Sequence, residues 1–263
     1  MNEKDASILN ADTTERLLQL YQKASKHSNY QVPAKILLPF IPVEKLNIVS
    51  RYERERMDYI AARLTIRDKT ILDIGGNTGY FSLECASRGA AKILYCEGNA
   101  AHCEFVRAAI QLTQMDKVVQ IIPGHIAFQD DIPGPADIAL LLNVLHHVGD
   151  DYGDSNMGMA CAKDSILAAL RRMARRVQYL VFQMGYNWKG QRNLPLFENG
   201  LKCEQIEFIR TGLAAEWDIL HIGIAEEMDG ATVYRDMTDV NLRRLDALGE
   251  FRNRPIFIMR SKC

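Results

Sequence analysis

The stretch that decides the fold is Thr70-Ile71-Leu72-Asp73-Ile74-Gly75-Gly76-Asn77-Thr78-Gly79-Tyr80-Phe81-Ser82. A short apolar run leads into glycines, and a helical pattern starts directly after them. Glycines permit positive φ and let a ligand approach the backbone, and open α/β sheets bind ligands at the carboxyl ends of their strands. The spacing Asp-x-Gly-x-x-x-Gly departs from the Gly-x-Gly-x-x-Gly fingerprint of dinucleotide-binding folds. The stretch therefore predicts a ligand-binding loop between a strand and a helix.

Apolar runs and helical patterns alternate around this loop. Runs that are apolar throughout predict strands buried on both faces, and their alternation with helices predicts a mostly parallel sheet covered on both sides. We therefore expect an α/β, Rossmann-like, doubly wound sheet of seven strands. The predicted strands are Thr70–Ile74, Lys92–Cys96, Val118–Ile122, Ile138–Leu142, Gln178–Met184, Asp218–Ala225 and Pro255–Met259. The predicted helices are Tyr80–Arg88, Ala100–Thr113, Lys163–Arg175 and Leu242–Leu248.

The segment before the sheet predicts an N-terminal helical extension. Apolar residues recur at helical spacing in Asp12–Lys26, prolines then interrupt any regular element, and a second helix is expected over Val43–Leu64. We expect residues 1–45 to form a helical arm or cap and residues 46–263 to form the main domain. A lid-like insertion is expected at about residues 185–200.

Composition excludes several classes of protein. The 263 residues include 32 basic and 33 acidic side chains, so no basic footprint points to nucleic acid. The N-terminal residues are polar and acidic rather than those of a signal peptide, and the longest uncharged apolar stretch, Ile138–Val148, is too short to span a bilayer. Six scattered cysteines without a Cys-x-x-Cys pair support neither a disulfide framework nor a zinc site. We expect a cytoplasmic protein without a membrane span.

An acidic residue closes the second predicted strand. Glu97 lies 24 positions after Asp73, beside the glycine loop, where a carboxylate can accept both hydroxyl groups of a ribose. With the glycine loop, this residue makes Lys69–Tyr179 resemble the class I S-adenosylmethionine-dependent methyltransferases. The resemblance implies that Gly75 and Gly79 shape a loop for S-adenosylmethionine, that Asp73 orders this loop or faces the methionine amino group, and that Glu97 binds the ribose.

Two positions depart from the pattern of that family. Asn77 stands where many members have a glycine, and its amide is expected to contact the cofactor. His125 follows Gly124 where members often have an aspartate for the adenine amino group, and Ile126 is expected to pack on the adenine ring. The cofactor-binding residues that we expect are Tyr52, Arg56, Asp73, Gly75, Gly76, Asn77, Gly79, Glu97, His125, Ile126 and Asn143.

Polar residues follow the fourth predicted strand. Asn143 marks its carboxyl end, and His146, His147, Asp150 and Asp151 come next. A histidine can remove a proton from an acceptor hydroxyl while a carboxylate orients the ring, so His146 and then His147 are the candidate catalytic bases. A structural role at a helix start is the alternative. Metal ligation is also conceivable, but adjacent histidines point in different directions, so we predict no metal site.

An arginine on the predicted second helix shares the inward face with apolar neighbours. Tyr52, Arg56 and Ile60 are spaced by four residues, which places Arg56 where it needs an anion. The methionine carboxylate of the cofactor fits a bidentate pair, and a salt bridge to Glu53 is the alternative.

The residues after the fifth predicted strand have a composition that suits an acceptor-binding lid. Trp188 could stack on a sugar or ring, and Lys189 and Arg192 could hold phosphate or carboxylate. A packed surface loop is the alternative. The predicted acceptor-binding residues are Asp150, Tyr152, Trp188, Lys189 and Arg192.

Further features resemble methyltransferases of bacterial surface-polysaccharide and capsule pathways, including the methyltransferase half of O-antigen chain-terminating kinase/methyltransferases. These features are Tyr80-Phe81-Ser82-Leu83, the histidine pair and the final run Arg254-Pro255-Ile256-Phe257-Ile258. The resemblance implies methyl transfer to an oxygen of a small, sugar-bearing or phosphate-bearing acceptor. A cofactor-binding subunit without catalysis and a nicotinamide-dependent oxidoreductase are the alternatives, and the sequence leaves the oligomeric state open.

Overall fold

A computed structural model describes residues 14–23 and 31–263 of the chain. The described residues divide into two compact units. The first comprises residues 14–23 and 31–57 together with Thr65–Gly124, and the second comprises Asp58–Leu64 and His125–Cys263.

The first unit carries three parallel strands. Strand β1 (Thr70–Ile74) pairs with β2 (Lys92–Glu97), and β2 pairs with β3 (Val119–Pro123), so their order is β3-β2-β1. The middle residues of β1 and β2 are buried, as expected for continuous apolar runs. The helices are α1 (residues 14–22), α2 (Glu53–Ala61), α3 (Tyr80–Ser87) and α4 (Ala100–Leu112), and α2 continues into the second unit.

The second unit carries five strands: β4 (Ala136–Leu142), β5 (Val177–Gln183), β6 (Trp217–Met228), β7 (Ala231–Asp236) and β8 (Ile256–Ser261). Their order in the sheet is β4-β5-β8-β6-β7. The first pair is parallel and the other three pairs are antiparallel. The helices are α5 (Met159–Ala174), α6 (Lys202–Gly212) and α7 (Gly249–Arg252). An apolar stripe on α5 includes Ile166, Leu170 and Met173, which are fully buried.

The predicted α/β architecture is confirmed, and the described residues hold one strand more than the predicted seven. The additional strand is β7, which pairs with β6 as an antiparallel hairpin. Asp229 and Gly230, between these two strands, both have positive φ. This conformation suits a tight hairpin turn, so Asp-Gly is a local signal that predicts the additional strand.

The predicted helix Val43–Leu64 is wrong over its first ten residues. Within residues 43–52 the structure has only a short 3₁₀ turn, Val43–Lys45. Tyr52 has a positive φ of 59°, which ends any helix entering from the N-terminal side. The Glu53 carboxylate accepts hydrogen bonds from the backbone N–H of Arg51 and the hydroxyl of Ser50, and these contacts fix the non-helical approach.

The predicted arm Asp12–Lys26 is helical over residues 14–22, and its residues 12–13 and 24–26 lie outside the described part of the chain. The boundary between residues 45 and 46 stays a prediction. No helix within residues 14–23 and 31–263 combines the length and apolar character needed to cross a membrane.

Candidate active site

In the glycine loop between β1 and α3, positive φ and close packing leave little space for side chains. Gly75 and Gly79 have φ of 69° and 76°, a conformation that favours glycine. A Cβ atom on Gly76 would lie 2.5 Å from Tyr95 Cε2, and one on Gly79 would lie 2.7 Å from Val106 Cγ2. The backbone at Gly76 and Gly79 therefore packs directly against buried side chains.

The Glu97 carboxylate at the end of β2 is held from two sides. Oε2 accepts from the backbone N–H of Asn77 at 2.8 Å, and Oε1 accepts from that of Asn99 at 2.7 Å. His102 Nδ1 lies 3.7 Å from Oε1. Burial works to raise the pKa of Glu97, but His102 and these hydrogen bonds outweigh it and lower the pKa below its usual value. Glu97 is thus an ionised acceptor, and each of its oxygens keeps a lone pair beyond the hydrogen bond it receives.

Asp73 at the end of β1 is buried and accepts a hydrogen bond at Oδ2 from the Ser82 hydroxyl, over 2.7 Å. Desolvation raises the pKa of Asp73 from 3.8 to about 6, although the contact with Ser82 opposes this shift. The raised pKa means that this carboxyl takes up a proton at a higher pH than an ordinary aspartate does.

Asn77 serves the loop itself. It has a φ of 53°, and its side-chain Oδ1 accepts from the backbone N–H of Thr78 at 2.8 Å. The Tyr95 hydroxyl donates to the Asn77 carbonyl. The predicted contact between this amide and a cofactor stays a prediction, and the side-chain oxygen already has a partner within the loop.

A residue that the sequence did not single out, Gln31, also fixes the loop. Its Oε1 accepts from the Thr78 hydroxyl at 2.8 Å and from the backbone N–H of Tyr80 at 3.1 Å. The Gln31 carbonyl accepts from the Tyr21 hydroxyl at 2.6 Å. Because 47 positions separate Gln31 from Thr78, no local pattern could reveal this contact.

Arg56 lies inside, as its helical spacing predicts. It is 4% exposed, and its guanidinium lies 4.9 Å from the centre of the Phe81 ring. Arg56 Nη2 is 3.8 Å from Oε1 of the fully buried Glu53, so the alternative pairing foreseen from the sequence is present. Tyr52 is half-buried at the start of α2, outside the helix on which its predicted orientation depended.

In the second unit, Asn143 belongs to a hydrogen-bonded network at the ends of β4 and β5. Its Oδ1 accepts from Arg254 Nη1 at 2.8 Å, and its Nδ2 donates to Gln183 Oε1 at 3.0 Å. Gln183 Nε2 donates to the Arg254 carbonyl at 3.0 Å. Glu250 accepts from Arg254 Nε and Nη2 at 2.8–3.0 Å. One N–H of the Asn143 amide lies outside these bonds.

The two histidines lie side by side, with ring centres 4.3 Å apart. His146 is buried, and its Nδ1 accepts from the backbone N–H of Gly185 at 3.2 Å. His147 Nδ1 lies 3.6 Å from an Asp151 carboxylate oxygen and 4.0 Å from one of Asp150. The two histidines and the two aspartates that follow the fourth predicted strand therefore lie close together. The two histidines nevertheless occupy different environments.

His147, Asp150 and Asp151 also place one potential ligand atom each within 4.8 Å of one another. Such exposed acidic groups commonly occur without a metal. The prediction that no metal is required stays a prediction.

Three of the remaining predicted acceptor-binding residues, Tyr152, Trp188 and Lys189, lie at or beside the histidine turn. Tyr152 donates from its hydroxyl to the Leu145 carbonyl at 2.9 Å. Trp188 is 7% exposed, and its indole N–H donates to the Val148 carbonyl at 2.6 Å. Lys189 Nζ lies 4.5 Å from the centre of the Trp188 ring. Trp188 is thus held against the histidine turn by this hydrogen bond, whereas Arg192 is exposed.

The predicted adenine contacts fall at the start of the second unit, where His125 is exposed and Ile126 is buried. Their roles stay predictions.

No family model matches this chain. It is similar in structure to the bifunctional kinase-methyltransferase WbdD, with a TM-score of 0.57 and 16% identity over 93% of this chain and 46% of that chain. A second WbdD structure has a TM-score of 0.58 at 16% identity, and the match covers 92% of this chain and 41% of that chain. A putative hemolysin from Streptococcus thermophilus has a TM-score of 0.51 at 13% identity, and the match covers 82% of this chain and 68% of that chain. The chain spans less than half of these WbdD chains, and the likeness is one of fold.

Proposed function

We propose that this protein is an S-adenosylmethionine-dependent methyltransferase that methylates an oxygen of a small, sugar-bearing or phosphate-bearing acceptor. The observation that carries the proposal is the Glu97 carboxylate, held by the backbone N–H groups of Asn77 and Asn99 at the end of β2. The fold that the chain shares with WbdD, a kinase-methyltransferase, supports it. We further propose that the reaction belongs to cytoplasmic surface-polysaccharide biosynthesis.

The residues of the first unit fit the cofactor. Glu97 is ionised and keeps one lone pair on each oxygen, which suits the two hydroxyl groups of a ribose. Gly76 and Gly79 let the loop pack directly on Tyr95 and Val106, and Gly75 and Gly79 supply the positive φ of the turn, so these glycines shape the loop that would hold the cofactor. When bound, S-adenosylmethionine supplies a methyl group on a positively charged sulfur. The Asp73 carboxylate can accept a hydrogen bond from the ammonium group of the cofactor.

The residues of the second unit fit proton removal from a hydroxyl. His147 has two carboxylates within 4.0 Å of Nδ1, and these favour a proton on that nitrogen and leave Nε2 as the basic site. A hydroxyl acceptor requires such a base, whereas an acceptor oxygen that is already anionic does not. Most of the rate is expected from positioning the reacting groups in line.

Calorimetric titration with S-adenosylmethionine and with S-adenosylhomocysteine tests the cofactor. Glu97→Ala removes two acceptors, and a hydrogen bond to a charged group contributes about 1.5–3 kcal/mol, so we expect affinity to fall at least about tenfold. Glu104→Ala, a change of the same type at a half-exposed position of α4, should leave affinity unchanged. Absence of binding to wild-type protein would refute the proposal, and binding of reduced nicotinamide dinucleotide instead would favour the oxidoreductase.

A further inference from the structure

A cavity of about 580 Å³ lies in the second unit between the segment after β5 and the loop before α7. Its volume falls within the range of about 300–1,000 Å³ that is usual for small-molecule sites. Its lining includes the aromatic residues Tyr186 and Phe197 and the polar residues Asn187, Glu198, Arg244 and Asp246.

The two aromatic residues lie buried behind the cavity: Tyr186 is 3% and Phe197 is 5% exposed, and the Arg244 guanidinium lies 5.6 Å from the centre of the Tyr186 ring. The buried Tyr186 donates from its hydroxyl to the Asn253 carbonyl at 2.6 Å, and its ring meets that of Phe197 edge-on at 6.1 Å. The Asn253 side chain, itself 1% exposed, holds both the N–H and the carbonyl of Leu245, at 3.0 and 2.8 Å. Because these side chains are fixed before any ligand arrives, little ordering free energy opposes binding.

The groups that would attract an anion already have carboxylate partners. Arg244 Nε donates to Asp246 at 2.7 Å, and Arg244 Nη1 donates to the Gly200 carbonyl. At the start of α6, the Glu204 carboxylate accepts from the backbone N–H groups of Asn199 and Leu201, at 2.8–3.2 Å. One guanidinium and two carboxylates line the cavity, so its formal charge is negative and a phosphate or carboxylate group is disfavoured.

The hydrogen-bonding groups that remain suit hydroxyls. Within the described part of the chain, the Asn187 amide and the Glu198 carboxylate make no side-chain hydrogen bond. The amide offers two donors and an acceptor, and the carboxylate offers only acceptors. This combination of donors and acceptors matches the hydroxyl groups of a neutral sugar.

We propose that this cavity binds a neutral pyranose unit of the acceptor. The assignment of the sugar as methyl acceptor rests on the proposed function, whereas its binding does not. The proposal narrows the acceptor to a carbohydrate hydroxyl and removes phosphate as the group recognised here. It also replaces Lys189 and Arg192 with Asn187 and Glu198 as the residues that select the acceptor.

Saturation-transfer NMR on the full chain without cofactor tests the proposal. The neutral probes are the methyl pyranosides of glucose, galactose and N-acetylglucosamine, and the charged probes are glucose 6-phosphate and inorganic phosphate. We expect at least one neutral pyranoside to bind and glucose 6-phosphate to bind more weakly. Tighter binding of the phosphorylated sugar, or no binding of any neutral probe, would overturn the proposal.

Matched variants locate the bound sugar. Loss of one hydrogen bond to a charged group should make Glu198→Ala bind the pyranoside about tenfold more weakly. Glu207→Ala, an equivalent change at an exposed position of α6 outside the cavity, should bind it as the wild type does. Equal binding by both variants would place the sugar elsewhere and overturn the proposal. Because the titration with S-adenosylmethionine is separate, failure of cofactor binding is distinguishable from failure of sugar binding.

Discussion

The backbone N–H of Gly185 donates a hydrogen bond to Nδ1 of His146 over 3.2 Å. A ring nitrogen that accepts a hydrogen bond carries no proton, so neutral His146 keeps its proton on Nε2. Nε2 is then a donor and lacks the lone pair that a base requires. The sequence places His146 before His147 as the candidate base, and the catalytic role of either stays a prediction; this hydrogen bond favours His147 for the base of the proposed reaction. His146 is better suited to donate a hydrogen bond than to remove a proton.

The contact between His146 and Gly185 predicts a difference between two variants. His146→Ala leaves the buried N–H of Gly185 without an acceptor, which costs about 1–3 kcal/mol. His146→Asn supplies an amide oxygen close to the position of Nδ1 and should recover much of that loss. Urea unfolding at neutral pH measures both free energies. Equal destabilisation by Ala and Asn would show that the hydrogen bond contributes little.

His147 is the residue whose removal should stop a hydroxyl reaction. Loss of a general base lowers the rate about 10²–10⁴-fold, so we expect His147→Ala to lose methyl transfer to that degree and to keep its affinity for S-adenosylmethionine. Transfer of labelled methyl to a hydroxyl acceptor measures the rate, and calorimetry measures the affinity. Added imidazole should restore part of the rate. An unchanged rate in His147→Ala would remove this histidine from the mechanism.

Gly185 is required by packing, although its φ is not positive. A Cβ atom there would lie 2.9 Å from His146 Nε2 and 3.1 Å from Arg254 Cζ. Gly185→Ala should therefore displace these side chains and destabilise the fold by about 1–3 kcal/mol, as overpacking does. Gly158→Ala is the matched control, because no atom lies within 4 Å of the Cβ it would add. Thermal unfolding compares the two, and similar midpoints would contradict the packing argument.

The sequence could predict what depends on neighbouring residues. The strand, the glycine turn and Glu97 follow from apolar runs and short spacings, and the structure holds them as expected. Contacts between distant segments carry no local signal, because the chain brings them together only on folding. Gln31, Gly185 and Arg254 are of this kind. The predicted helix is wrong before Glu53 because the helical spacing of apolar residues extends across Tyr52, whereas the positive φ of Tyr52 interrupts a helix there.

Asp73→Asn tests the ionisation of a buried carboxyl. Burial raises the pKa of Asp73 from 3.8 to about 6, so between these values the folded protein holds a proton that the unfolded chain has released. The contribution of Asp73 to the unfolding free energy therefore falls as pH rises from about 4 to about 6, by about 3 kcal/mol for this shift.

Above about pH 6 this contribution is constant. Asparagine keeps an oxygen for the Ser82 hydroxyl but does not titrate. Urea unfolding from about pH 4 to about pH 8 should thus show the variant gaining stability relative to the wild type up to about pH 6 and no further. A difference that is independent of pH would mean that the pKa of Asp73 is not raised.

Gln31 should control how tightly the glycine loop binds its ligand. Gln31→Ala removes the acceptor of the Thr78 hydroxyl and of the Tyr80 N–H, both in the loop and both buried. Ligand binding must then supply the free energy that orders the loop, so we expect affinity for S-adenosylmethionine to fall about tenfold. Gln31→Glu keeps a side-chain oxygen at the same reach and should bind more tightly than Gln31→Ala. Gln19→Ala, at an exposed position of α1, is the control for calorimetry. If Gln31→Ala and Gln19→Ala bind S-adenosylmethionine equally well, other contacts hold the loop. The hydrogen bond from Thr78 to Gln31, 47 positions away in the sequence, then contributes to the fold rather than to the site.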